Sequence, residues 1–120
     1  MAKKTVILGA SENPERYSFK ATRMLKQKGH PVIPVGIRAG SIDGETILTG
    51  RPLVEEVDTV TLYVGPKNQA EWYEYILSLH PKRLVFNPGT ENKELQDLAV
   101  AKGIECVEAC TLVMLSIGNY

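Results

Sequence analysis

The chain has 120 residues, 43% of them hydrophobic, with 14 basic and 14 acidic side chains and a formal net charge of zero. That length supports one domain with its own core and leaves no room for a separate catalytic one, and a neutral balance without exposed aromatics interleaved with arginine argues against nucleic-acid binding. No apolar run approaches the length of a membrane span and the opening MAKK lacks a signal-peptide core, so the expectation is a soluble, cytoplasmic protein that does not engage a membrane.

Thr5-Val6-Ile7-Leu8 is a short β-branched apolar run, the pattern of a strand buried on both faces of a parallel sheet, and Gly9 lets the chain turn sharply after it. Tyr17 to Lys28 reads as a helix with Tyr17, Ala21, Met24 and Leu25 on its apolar face and Lys20, Arg23, Lys26 and Lys28 toward solvent; Gly29 ends it. Pro31 to Val35 is a second strand, whose prolines imply limited pairing at its start or an exposed side. Gly36 to Glu56 is loop-rich, with room for a short strand at Thr46-Ile47-Leu48. Asp58 to Val64 is the third strand, Asn68 to Leu79 a helix that Asn68 can cap, and Lys82 to Phe86 the fourth strand. Glu91 to Lys102 is the third helix, closed by Gly103, before a fifth strand at Ile104 to Val107 and a short closing helix at Thr111 to Ile117.

Strands alternating with helices imply a parallel sheet covered on both faces, with right-handed crossovers. Such a sheet takes its ligands at the carboxyl ends of the strands, where strand order reverses. The loops there are Gly9 to Arg16, Gly36 to Gly40, Gly65 to Asn68 and Asn87 to Thr90, all rich in turn residues, and four on one edge favour a ligand cleft over ordinary turns. The start of the first helix offers free N–H groups and a positive dipole end to an anion. Up to Arg51 there are nine basic and four acidic residues, net +5; the remainder carries five and ten, net −5. Basic charge thus collects around the turn, although a solvated helix face accounts for it equally well.

The turn reads G-A-S-E-N-P, with one glycine where a dinucleotide fingerprint has three, and the second strand runs into Gly36-Ile37-Arg38, a cation where NAD needs a carboxylate. The Walker pattern is also absent. An arginine there suits a nucleotide with an extra ribose phosphate, held by charge-assisted hydrogen bonds, which describes both coenzyme A and NADP.

Four segments carry a family resemblance: VILGASENPER at Val6 to Arg16, TLYVGP at Thr61 to Pro66, LVFNPGTEN at Leu84 to Asn92, and GIECVEACTLVML from Gly103. Over nearly its whole length the chain resembles the small stand-alone CoA-binding proteins, which are similar to the CoA-binding domain of the succinyl-CoA synthetase alpha subunit. The resemblance implies an α/β, Rossmann-like doubly wound parallel sheet of about five strands in one domain, residues 1–120, with CoA lying across the strand ends and no catalytic activity. Two positions depart from the family pattern: Gly36-Ile37 stands where asparagine-proline is usual, and Val85-Phe86-Asn87 where tryptophan-x-glutamine is usual.

The residues expected to bind the cofactor follow from both arguments. Gly9, Ala10 and Ser11 form the turn at the pyrophosphate, Asn13 and Pro14 shape it, and Arg16 and Lys20 stand near the helix start. Val35 and Gly36 border the second strand's end, with Arg38 placed for a ribose phosphate. Tyr63, Val64 and Pro66 flank the adenine or pantetheine arm, and Asn87, Pro88 and Gly89 close the far side. His30 and His80 read as surface punctuation, and no nucleophile has an adjacent base. Cys106 and Cys110 read as reduced thiols that cannot complete a metal site alone; Cys110, at a helix start, is either a thiol of lowered pKa facing the cleft or a packed small hydrophobe. The leading expectation is a CoA or acyl-CoA carrier or sensor. An NADP-binding oxidoreductase-like domain and a protein-interaction module with a vestigial cleft stand beside it.

Overall fold

A computed structural model describes residues 2–120. In chain order its elements are β1 (Thr5–Leu8), α1 (Tyr17–Gln27), β2 (Val32–Val35), a hairpin of β3 (Gly40–Ile42) and β4 (Glu45–Ile47), β5 (Thr59–Leu62), α2 (Pro66–Gln69), a 3-10 turn (Ala70–Trp72), α3 (Tyr73–Ser78), β6 (Arg83–Phe86), α4 (Lys93–Ala101), β7 (Glu105–Glu108) and α5 (Thr111–Ile117). The five longer strands form one parallel sheet in the order β2-β1-β5-β6-β7. The chain therefore winds outward from β1 to β2, then back past β1 to β5 and on to β7, and the reversal falls between β1 and β5. This is the doubly wound, Rossmann-like α/β architecture expected from the alternation of elements.

Period-two alternation in the strands feeds two cores. Val6, Leu8, Val60, Leu62, Leu84 and Phe86 face Trp72, Ile76, Leu95 and Ala99 on one side, whereas Ile7 and Val85 face Phe19, Leu25, Met114 and Leu115 of α1 and α5 on the other. The α5 side also buries a polar layer: Thr61 and Thr111 share a hydroxyl hydrogen bond at 2.8 Å, and Arg83 donates to Thr59 Oγ1 at 3.1 Å and the Tyr120 carbonyl at 2.8 Å.

Several local expectations are corrected. Tyr17 is 68% exposed, and α1 instead buries Ser18, Phe19, Ala21, Thr22 and Leu25; the helix starts after the turn has already set its rotation, so the inward stripe lies on Phe19 rather than Tyr17. The segment from Asn68 to Leu79 is not one helix. Pro66, with no N–H to lose, starts α2 behind Gly65, and a 3-10 turn separates α2 from α3, so Asn68 lies inside α2 rather than capping it. Asn92, not Glu91, heads α4, its Oδ1 accepting the N–H of Glu94 at 3.1 Å and of Leu95 at 3.4 Å. The loop-rich segment after β2 folds into the hairpin, whose Ile42 and Ile47 are buried. Leu48 pairs with β2: its N–H donates to Pro34 and its carbonyl accepts from Gly36, so the proline-bearing edge strand is covered.

Candidate functional site: a cleft at the strand-order reversal

The sheet register decides where the loops meet. Leu8 pairs with both Val35 and Leu62, and Leu62 with Phe86, so Gly9, Gly36, Tyr63 and Asn87 leave the sheet at one level. Above that level is a cleft of about 1070 Å³, at the upper end of the ~300–1,000 Å³ usual for small-molecule sites. Its floor and walls come from the β1–α1 turn, the end of β2, the loop after β5 and the loop after β6.

Two glycines make the floor possible. The Val35 carbonyl accepts the N–H groups of both Gly9 and Ala10, each at 2.9 Å, drawing the ends of β1 and β2 together. A Cβ on Gly36 would stand 2.5 Å from the Ala10 carbonyl oxygen, and one on Gly9, whose φ is +98°, 3.0 Å from the Tyr63 carbonyl carbon. Beyond them the turn holds itself: Ser11 Oγ accepts the Asn13 N–H at 3.1 Å and Asn13 Oδ1 the Glu15 N–H at 3.0 Å. Arg16 precedes α1 in an extended conformation and offers no side-chain cap. The first N–H groups of α1 thus have no acceptor among the described residues, at a helix start that lines the cleft through Tyr17 and Ser18. The charged lining side chains are Arg16, Arg38, Glu12 and Glu71, so the wall is balanced rather than basic. The basic excess of the first half is spent elsewhere: Arg23 pairs with Asp43 at 2.9 Å and Lys26 with Glu45 at 3.7 Å, and Lys4 donates to the Glu55 carbonyl.

The structure brings Gly9, Ala10, Ser11, Asn13, Arg16, Val35, Gly36, Arg38, Tyr63, Val64, Pro88 and Gly89 together on the cleft. Four expected residues lie off it. Pro14 and Lys20 border a separate shallow groove between α1 and Leu112, because the turn carries Pro14 outward and the helical rotation takes Lys20 away. Pro66 starts α2 beside the cleft rather than in its wall. Asn87 is 2% exposed with its amide fully used: Nδ2 donates to Thr61 Oγ1 at 2.6 Å and to the Leu62 carbonyl at 2.8 Å, and Oδ1 accepts the Thr111 N–H at 2.9 Å. It latches β5, β6 and α5 together beneath the site.

Sequence reasoning passed over Glu12, Ser18 and the wall made by Asn68, Glu71 and Trp72. Trp72 is the one tryptophan of the chain, half of an edge-to-face pair with Tyr75 and covered by the Arg51 guanidinium 3.7 Å from its ring centroid. It ends the 3-10 turn between α2 and α3 and is largely buried in the core. Tyr63 lines the cleft, and its hydroxyl, buried beside Thr61 and Thr111, has no hydrogen-bond partner among the described residues; burial pushes the phenol far above its ordinary range, so it stays a neutral group. Cys110 precedes α5 and is not on the cleft wall, and both cysteines are free. Among the described residues no group of three or more His, Cys, Asp or Glu is placed to hold a metal ion, and no helix is long and apolar enough to cross a membrane.

The comparison that decides the family is with the model of the CoA binding domain, which matches residues 3–116. The chain belongs to the CoA-binding domain family. Solved relatives share its fold throughout. The crystal structure of an uncharacterized protein is 54% identical with a TM-score of 0.98, covering 100% of this chain and 99% of its own. A hypothetical protein from Pyrococcus horikoshii OT3, 24% identical with a TM-score of 0.87, covers 97% of this chain and 83% of its own. A protein from Thermus thermophilus, 24% identical with a TM-score of 0.86, covers 99% and 91%. These last two speak for the fold alone. No curated protein matches the sequence. The cleft lies at the strand-order reversal, with the start of α1 on one wall and Trp72 on another.

Proposed function

We propose that this cleft binds coenzyme A, free or acylated, and that the protein acts as a carrier or sensor rather than an enzyme. The observation that carries the reading is the conjunction of the close β1–β2 approach at Gly36, which leaves the sheet edge open to a ligand backbone, with unaccepted N–H groups at the start of α1 in the same wall as Arg16 and Arg38. A pyrophosphate fits the N–H groups and the dipole end of α1. Arg38, exposed on the loop after β2, suits a ribose phosphate through a charge-assisted fork, and the Tyr63–Val64 and Trp72 walls suit the adenine or pantetheine arm. When bound, CoA would supply a thiol able to carry an acyl group. The chain's own residues hold and orient the ligand: the cleft wall contains no nucleophile paired with a base.

The test is thermal unfolding and native mass spectrometry with CoA, NADP and NAD. CoA at a hundred times its dissociation constant should add about 2.7 kcal/mol of stability, whereas NAD should add none. Arg38→Ala should weaken CoA roughly tenfold without lowering the melting temperature. Stabilisation by NADP alone would point to the oxidoreductase-like reading, and no shift with any of the three to an interaction module.

A further inference from the structure

The β1–α1 turn is organised by its own short side chains, Ser11 and Asn13, each accepting an N–H two residues on. Glu12 departs from that pattern. Its side chain leaves the turn and crosses to the β3–β4 hairpin, where Oε2 accepts the Ser41 N–H at 3.0 Å. The carboxyl group lies against Gly40: a Cβ there would come 2.3 Å from Glu12 Cδ, so a glycine gives the side chain its resting place. The hairpin is a fixed anchor, rooted by buried Ile42 and Ile47 and tied to α1 through Arg23 with Asp43 and Lys26 with Glu45.

Glu12 also lines the cleft, one residue from Ser11 and in the wall that holds Arg16, Arg38 and the start of α1. It therefore sets a negative charge where the helix end and the arginines otherwise favour an anion, and it occupies a backbone donor of the neighbouring hairpin, Ser41 N–H. Resting on the reading of this cleft as a CoA site, we propose that Glu12 is a specificity-determining gate: in the free protein its carboxylate satisfies the Ser41 amide, and a phosphate group of the ligand binds by displacing it. Both partners are exposed, so the bond is cheap to break. A phosphate brings more charge and more acceptor oxygens than the carboxylate it replaces. Weakly charged ligands lack the means to dislodge it, and selectivity for phosphorylated ligands follows.

The experiment is calorimetric titration of CoA into the wild-type protein, Glu12→Gln and Glu12→Ala, at low and high salt, with the Ser41 amide followed by 15N–1H spectra. Glu12→Gln retains an oxygen for the Ser41 N–H and loses only the charge. Both variants should bind CoA about three- to fivefold more tightly at low salt, the gain should vanish near 0.5 M salt, where the screening length is only about 4 Å, and the wild-type Ser41 resonance should shift when CoA binds. Equal affinities with an unmoved Ser41 amide overturn the gate and leave CoA binding standing. Weaker binding by Glu12→Gln overturns it as well, since Glu12 would then be a supporting contact. Failure of all three proteins to bind CoA overturns the gate and the CoA reading together.

Discussion

Replacing Gly36 with alanine strikes the point where the cleft floor is made. The new Cβ would sit 2.5 Å from the Ala10 carbonyl oxygen, 3.2 Å from Ile47 Cγ2 and 3.4 Å from the Ala10 carbonyl carbon. The first of these is backbone, and Ala10 cannot simply retreat, because its N–H and that of Gly9 both hold the Val35 carbonyl at 2.9 Å. Overpacking of this kind costs about 1–3 kcal/mol, and loosening one of the two hydrogen bonds adds about 1 kcal/mol. A chain of this length loses roughly 4 °C of melting temperature per kcal/mol, so the expected fall is about 8–16 °C by that scaling. Far-ultraviolet circular dichroism with Trp72 fluorescence measures it, the tryptophan reporting on the cleft itself. Gly65→Ala is the control: its φ is −65° and nothing lies within 4 Å of the added carbon, so it should cost no more than about 1 kcal/mol. A Gly36→Ala protein that melts within about 2 °C of wild type, half a kcal/mol on the same scaling, would refute the close approach of the two strand ends.

Asn87→Ala removes two donated bonds and one accepted bond from a buried site, and should destabilise by about 2–4 kcal/mol in urea titrations whether or not CoA is present; a loss of ligand affinity with unchanged stability would place the residue in the site instead. His30 Nδ1 accepts the Lys3 N–H at 2.9 Å, and burial, then the Lys3 charge, lowers its pKa. The unfolded chain therefore takes the proton first as pH falls, so stability is held above the unfolded value of about 6.5 and declines below it. Melting temperature should drop from about pH 8 to about pH 5 on that account, less steeply in His30→Asn, and equal slopes in the two proteins would remove His30 as the cause. Burial, then Glu105, raises the Cys106 thiol, so it should alkylate far more slowly in the folded protein than in urea at neutral pH; peptide mapping that finds equal rates would show the strand edge to be open.

How much of this was legible beforehand differs by level. The Thr5–Leu8 run, the glycine after it and the recurrence of strand and helix determined a doubly wound parallel sheet, because an apolar β-branched run is stable as a strand only when both faces are covered. The turn from Gly9 and the loops after the second, third and fourth strands were readable as the ligand edge for the same reason: topology puts every loop of one polarity on one side. Side-chain direction was not readable. Lys20 and Pro14 are close in sequence to Arg16 yet face another groove: the turn carries Pro14 outward, and Lys20 follows a helix that turns by about 100° per residue with its rotation set by packing against the sheet. Asn87 follows a strand that ends at the cleft, and its bonds to Thr61 and Leu62 of β5 and to Thr111 of α5 turn its amide downward. Trp72 and Glu12 reach the site through events that no local pattern encodes, a break between two short helices and a side chain crossing to a hairpin twenty-nine residues away. Sequence by itself determined the fold class, the family and the edge on which the cleft opens; the tertiary structure decided which side chains face that cleft, because facing depends on contacts between segments distant in the chain.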